Sequence, residues 1–412
     1  MSERPLAAVV LAAGQGKRMG AKVPKVLVEA CGRPMVEYVL DALAPLGTHR
    51  TVVVYGHGGD AVRLSLSGRD VAFAHQPEQN GTGHAVQCAL PSLEGFDGDL
   101  LVLCGDTPLL TTAVLLDLVE DHRAHGRALT VLSADLDQPG SLGRMVRGAD
   151  GKLAAIREAA DASPEELALH EINTGVMIMD AQHLAGALAR LQPDNAQGEL
   201  YLTDVPALLL ADGLAVDARK TPDQNAAFGV NRPSELLTAA AVLRRRILDD
   251  HADRGVRIED PATTVVDAGV EIGAGTILRP FTHLASGVRI GSDCRIGPYA
   301  ELGPGTTVGA QAIVGGHVEL RAATLDNKAK VPGPARLVGV VVGNGSWIGP
   351  GVVTEGSAEG RIVIGDGARV GAGSVLVAPL TVGSDARVPA GTTVDQDVGA
   401  PMGAERGRVQ EE

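Results

Sequence analysis

The chain has 412 residues, enough for two or more domains, with 45% apolar residues but only 2% aromatic. Its net charge of −14 argues against a nucleic-acid or anionic-membrane surface, so an anionic substrate would have to be held by local cations. Fifty-three glycines beside so few aromatics point to a regular repeat somewhere in the chain. The four cysteines (Cys31, Cys88, Cys104, Cys294) have no metal-ligand spacing and fit thiols in a reducing cytoplasm.

The first predicted element is a buried strand over Leu6–Leu11, too short to span a membrane. It runs into Leu11-Ala12-Ala13-Gly14-Gln15-Gly16-Lys17-Arg18-Met19, with Pro24-Lys25 just beyond. Two glycines at a strand end let the backbone turn and approach a ligand. Successive N–H groups in such a loop face an anion, and Lys17, Arg18 and Lys25 add charge suited to a triphosphate. The P-loop ending and the dinucleotide glycine spacing are both missing.

Residues 34–46 are expected to form a helix with Met35, Val39, Leu40 and Leu43 on one face. Strands are expected at Thr51–Tyr55 and at Leu100–Cys104. The alternation of strand-like and helix-like segments to about residue 230 predicts a mostly parallel sheet wrapped by helices. Ligands in such sheets lie beyond the carboxyl ends of strands, where the opening loop and Asp106 both fall. By position, Asp106 is equally a Mg²⁺ ligand or a helix cap.

These stretches resemble the bacterial family that joins a UDP-N-acetylglucosamine pyrophosphorylase to a glucosamine-1-phosphate N-acetyltransferase. The opening loop resembles the family's nucleotidyltransferase signature, with Lys17 in place of a threonine. Gly105-Asp106-Thr107-Pro108-Leu109 matches its metal-aspartate context, which favours the metal role. His75 to Ala85 is similar to its uracil-reading segment. Gly143-Arg144, Ile156-Arg157-Glu158, Glu171-Ile172-Asn173-Thr174-Gly175, Asn195 to Asp204 and Gly229-Val230-Asn231 follow in the family's order. Leu142 and Cys104 stand where the family has tyrosines.

The resemblance implies that Arg18 and Lys25 neutralise phosphates, and that Asp106 and Asn231 hold Mg²⁺. It implies that Leu11, Ala12, Ala13, Gly14, Gln76, Gly81 and Thr82 hold the nucleoside, and Gly143, Glu158, Asn173 and Thr203 the sugar. The substrates implied are UTP and N-acetylglucosamine 1-phosphate, with no nucleic acid or membrane partner. Rival readings are another nucleotide and sugar pair, such as dTTP with glucose 1-phosphate, and a bifunctional enzyme that also acetylates glucosamine 1-phosphate from acetyl-CoA.

Residues 233–254 are expected to form one connecting helix, its arginines 244–246 a solvated face. A six-residue period follows: Ile272, Leu278, Leu284, Ile290, Ile296, Leu302, Val308, Val314 and Leu320. It blurs through Val342 and Ile348 and resumes from Ile364 to Val394. One inward aliphatic residue per hexad predicts three short strands per coil of a prism. This resembles the left-handed β-helix of hexapeptide acyltransferases, which implies a homotrimer. Against the acetyltransferase pattern, Gly333 stands near the general base, Val353-Thr354 replace Asn-Tyr, and Gly303 replaces an arginine. The prism is therefore expected to serve as a scaffold that does not use acetyl-CoA, with His283 and His317 as plain structural residues.

The expected fold is an α/β nucleotidyltransferase (Rossmann-like, mostly parallel sheet) followed by a left-handed parallel β-helix of hexapeptide repeats. The expected boundaries are 1–232 for the transferase, 233–255 for the helical connector, 256–398 for the β-helix and 399–412 for a flexible tail.

Overall fold

The computed structural model describes residues 4–14, 16, 19–20, 23–56, 58–355 and 360–400. The chain divides into two compact units, residues 1–240 and 241–412.

In the first unit, β1 (Leu6–Ala12) is the central strand, and its residues alternate between two cores. Ala7 and Val9 enter one, while Leu6, Ala8, Val10 and Ala12 enter the other. A strand buried on both faces reads as a continuous apolar run, as this one does. The chain continues through a short hairpin, β2 (Glu29–Ala30) and β3 (Arg33–Pro34), into helix α1 (Met35–Leu43). The predicted helix thus ends its α-helical part at Leu43, and a single 3₁₀ turn covers Ala44–Leu46.

The remaining strands of this sheet are β4 (Arg50–Tyr55), β5 (Ala72–His75), β6 (Asp99–Cys104), β7 (Leu129–Asp135), β8 (Arg144–Arg147), β9 (Leu153–Arg157), β10 (Glu171–Asp180) and β11 (Val216–Lys220). Their order is β11-β7-β10-β6-β1-β4-β5, with β8 and β9 off this path. Strand β1 pairs in parallel with both β4 and β6, so their carboxyl ends open at one edge. Only β10 runs against its neighbours β6 and β7 in the main path. Helices α2 (Gly59–Ser65), α3 (Thr82–Ala89), α4 (Thr112–His125), α5 (Pro164–Leu167), α6 (Ala181–Leu188) and α7 (Val205–Ala211) connect the strands. Helix α8 (Pro233–Asp253) carries the chain from one unit to the next.

The second unit is a parallel β-helix. Its strands stack into three parallel sheets of eight, eight and seven strands among the described residues. Leu278, Leu284, Leu302, Val314 and Leu320 are fully buried at the inward hexad positions. The blurred register has a definite cause. The inward series runs Leu320, Leu325, Val331, Leu337, Val342 and Ile348, so two rungs are one residue short. Thr354 then takes an inward place, and its hydroxyl accepts a bond from Val338 N at 2.7 Å. Ten positions rather than six separate it from Ile364, where the hexads resume.

Candidate nucleotide and sugar phosphate site

A cleft of about 690 Å³ lies where the carboxyl ends of β1 and β6 meet α3 and the segment before it. Leu11, Ala13, Gly14, Lys25, Gln76, Gly81, Thr82, Asp106 and Asn231 line it. These nine sequence-derived positions come from five separate stretches of the chain, and the sheet topology brings them together. Ala12 does not line the cleft, because strand alternation turns it into the opposite core, 3% exposed. Arg18 and Lys17 lie outside the described residues.

Lys25 begins a 3₁₀ turn and is buried, with its ammonium in an ion pair with Asp106. Its Nζ also donates to Asn231 Oδ1 at 2.6 Å. Gly16 presses on it from above: at φ +59°, a Cβ there would lie 2.7 Å from Lys25 Cβ, so only glycine fits without a shift. Asp106 is not a helix cap; α4 is capped instead by Thr111, whose hydroxyl accepts from Val114 N. The carbonyl of Asp106 accepts from Val230 N at 2.9 Å, which ties the end of β6 to the Gly229–Asn231 segment. Asn231 N in turn donates to Glu235 Oε2 at 2.6 Å.

Gln76 is 3% exposed, its Nε2 donating to Gly81 O at 3.0 Å. Gly81 has φ +102°, and a Cβ on it would lie 2.5 Å from Leu200 O. Gly83 N donates to that same carbonyl at 2.8 Å, and Leu200 N donates to Asn80 O at 2.8 Å. Thr82 Oγ1 accepts from Leu202 N at 3.0 Å. The loop before α3 is thus clamped by backbone bonds to residues 200–202, which fixes the floor of the cleft.

Gly143, Glu158, Asn173 and Thr203 form a second, connected group. Asn173 N donates to Gly143 O at 2.8 Å, and Thr203 Oγ1 donates to Glu158 Oε1 at 3.0 Å. Gly143 faces the Glu158 carboxylate, whose oxygens would lie 3.5 Å from a Cβ there. Burial raises the Glu158 pKa, against the Thr203 hydrogen bond, which lowers it. Asn173 Oδ1 is engaged by Gly175 N at 3.0 Å. Cys104 joins the two groups: it lines the cleft and its Sγ lies 3.9 Å from Gly175 O. Burial, then Asp106, pushes its thiol up to about 12, so it stays protonated and is no nucleophile.

Gly16, Gln79, Ala85 and Glu199 also line the cleft; they lie within stretches marked out in the sequence but carry no individual role there, and Val26 lies outside those stretches. Ala85 follows Gly81 by one helical turn, so the helix that starts at Thr82 carried the signal for it. Glu199 falls in the Asn195 to Asp204 stretch, and the clamp by residue 200 brings it to the cleft.

Asp106 and Asn231 supply one carboxylate and one amide oxygen, hard donors suited to a divalent ion that completes its shell with phosphate and water. The two oxygens meet at one cation, the Lys25 ammonium, so they converge closely enough to share an ion.

A strand-end cleft with a buried cation, a carboxylate and an amide can neutralise and orient a polyphosphate. The MobA-like NTP transferase domain matches residues 8–201, which hold most of this cleft, and the bacterial transferase hexapeptide repeat matches residues 269–304 and 287–322. Fold and site together define a nucleotidyltransferase joined to a hexapeptide-repeat β-helix. A protein of Shouchella clausii named "Bifunctional protein GlmU" is 40% identical over 95% of this chain and 94% of its own length. Proteins of the same name from Pelobacter propionicus and Thermobifida fusca are 40% and 41% identical over 96% and 98% of this chain, and 94% and 92% of their own lengths. The chain belongs to the GlmU family.

Proposed function

We propose that the first unit makes UDP-N-acetylglucosamine from UTP and N-acetylglucosamine 1-phosphate, releasing pyrophosphate. The observation that carries this reading is the convergence of Lys25, Asp106 and Asn231 at the end of β1 and β6, beside the Glu158–Thr203 group. A phosphate oxygen of the sugar phosphate attacks the α-phosphorus of UTP; the new P–O bond forms as the bond to the β-phosphate bridge breaks. Attacker and leaving group are both ready-made, so no covalent enzyme intermediate is needed. Positioning and charge neutralisation are the demand on the protein.

Lys25, with Arg18, neutralises phosphate charge. Leu11, Ala13, Gly14, Gln76, Gly81 and Thr82 hold the nucleoside, the Gln76 amide being held by Gly81. Gly143, Glu158, Asn173 and Thr203 hold the sugar, with the Glu158 carboxylate as acceptor for sugar hydroxyls or amide. Asp106 and Asn231 hold Mg²⁺, which supplies Lewis-acid stabilisation of the phosphates when bound. Lys25→Ala removes a charge-assisted contact worth ~1.5–3 kcal/mol, so uridylyl transfer drops about tenfold to a hundredfold. Asp106→Asn has an effect at least as large, with only partial recovery at high Mg²⁺. Near-normal turnover in both variants, with an unchanged circular dichroism spectrum, would remove this assignment.

The second unit serves as a trimerising scaffold that does not transfer acetyl groups. Three positions support this. A Cβ on Gly303 would lie 2.9 Å from Arg321 Cγ, so a larger side chain there collides with Arg321. Gly333 backs onto Pro350, 3.0 Å from a would-be Cβ. Thr354 points inward, 2% exposed, and so faces no substrate. We take the working divisions as 1–232 for transfer, 233–255 for the arm, 256–398 for the left-handed prism and 399–412 for the tail, in a cytoplasmic protein. No helix among the described residues is long and apolar enough to cross a membrane.

A further inference from the structure

Lys25 touches both oxygens assigned to the divalent ion, Asp106 Oδ2 and Asn231 Oδ1. Hard cations bind such oxygens at roughly 2.0–2.6 Å, and a charge-assisted ammonium contact is only a few tenths of an ångström longer, about 2.7–2.9 Å. The ammonium therefore stands where a cation bound to both donors would stand. A divalent ion and an ammonium cannot share that point, because like charges so close repel strongly in a partly buried site. The backbone of Lys25 has little freedom, held in its 3₁₀ turn beneath Gly16. Its four-carbon stem is free to swing the head group by several ångströms.

We infer that Lys25 is the resident cation of the ligand-free site, and that it and the divalent ion occupy the Asp106–Asn231 pair in alternation. An ammonium this buried leaves a carboxylate only for another anion, since an unpaired buried charge is unfavourable. The triphosphate is that anion. Its arrival draws Lys25 off the pair and opens the pair to the metal, so the ion enters with or after the nucleotide. This rests on the triphosphate reading of the cleft. It adds to Lys25 the role of a positioning residue that keeps the two metal donors converged while no substrate is bound.

The test uses the full chain without nucleotide and Mn²⁺ as the probe, with free Mn²⁺ counted by electron paramagnetic resonance. Lys25→Met keeps the stem and removes the charge; Lys25→Gln is the alternative if that variant does not fold. Either variant should bind one Mn²⁺ at least tenfold more tightly than the parent, and adding Asp106→Asn should abolish the gain. Unchanged or weaker Mn²⁺ binding would overturn the inference, as would a gain that survives Asp106→Asn. So would a Mn²⁺ anomalous peak between Asp106 and Asn231 in the parent with Lys25 still touching both. The readout needs no turnover, so failure of the transferase reading shows in substrate assays and failure of the exchange shows here.

Discussion

Glu158 shows how a single residue links burial to binding. Burial raises its pKa above 4.5, while the Thr203 hydrogen bond opposes the shift. Because the folded value is raised, the folded protein holds this proton more tightly than the unfolded chain does. The stability from that proton is fully present below the unfolded pKa and is lost as pH rises through the folded value. Sugar binding has the opposite sign, since the ionised carboxylate is the better acceptor. Affinity for the sugar phosphate should therefore fall as pH drops through the folded pKa. Thr203→Val removes the opposing bond and raises the pKa further, so the acid limb of KM for the sugar phosphate should move to higher pH. A pH profile with an unmoved limb would separate Thr203 from Glu158. At this scale much was legible, because Asp106 follows a strand end and Asn231 closes the short family-like Gly229–Asn231 stretch before α8. What was hidden is that Thr82 and Asn173 spend polar atoms on Leu202 N and Gly175 N. Such bonds depend on segments far away in sequence or on local backbone turns.

The elements differ in how openly the sequence declares them. Strand β1 and the hexads are apolar patterns, and they appear where the patterns place them. Ala12 was assigned to the cleft with its neighbours, yet the two-residue period of a strand sends Leu11 and Ala12 to opposite faces. In the prism, a second inward series of smaller residues lies two places before the aliphatic one: Val270, Thr276, Thr282, Val288, Cys294, Ala300, Thr306 and Ala312, all buried. Mixed polarity hides it from a search for aliphatics, and it accounts for the burial of Cys294. One corner carries a stack of Phe281, Tyr299 and His317, with ring centroids 4.7 and 4.8 Å apart. His317 is thus a stacking residue, while His283 is held protonated more readily by Asp267 and then Glu301. A histidine with a raised pKa is a poorer base near neutral pH. A thiol-release assay with acetyl-coenzyme A and glucosamine 1-phosphate should show only background. Turnover abolished by changing His283 or His317 would restore the acetyltransferase.

At the scale of the whole molecule, the composition follows from the architecture. A narrow prism takes aliphatic and small side chains inside and turns at glycine-rich corners, so a chain with so long a prism is poor in aromatics. Each unit has its own core, since the prism cluster and the two sheet clusters are separate. A fragment of residues 256–398 should therefore fold and form trimers by itself. The first unit, ended after about residue 232, should be a monomer that keeps its transferase activity. Sedimentation of the two fragments checks this, and a trimeric first unit would place the interface elsewhere.

The most direct measurement is pyrophosphate release from a panel of nucleoside triphosphates and sugar 1-phosphates with Mg²⁺. The pair UTP and N-acetylglucosamine 1-phosphate should turn over fastest, and Asp106→Asn should suppress that turnover. Faster release from dTTP with glucose 1-phosphate, or release that Asp106→Asn leaves intact, would contradict the account.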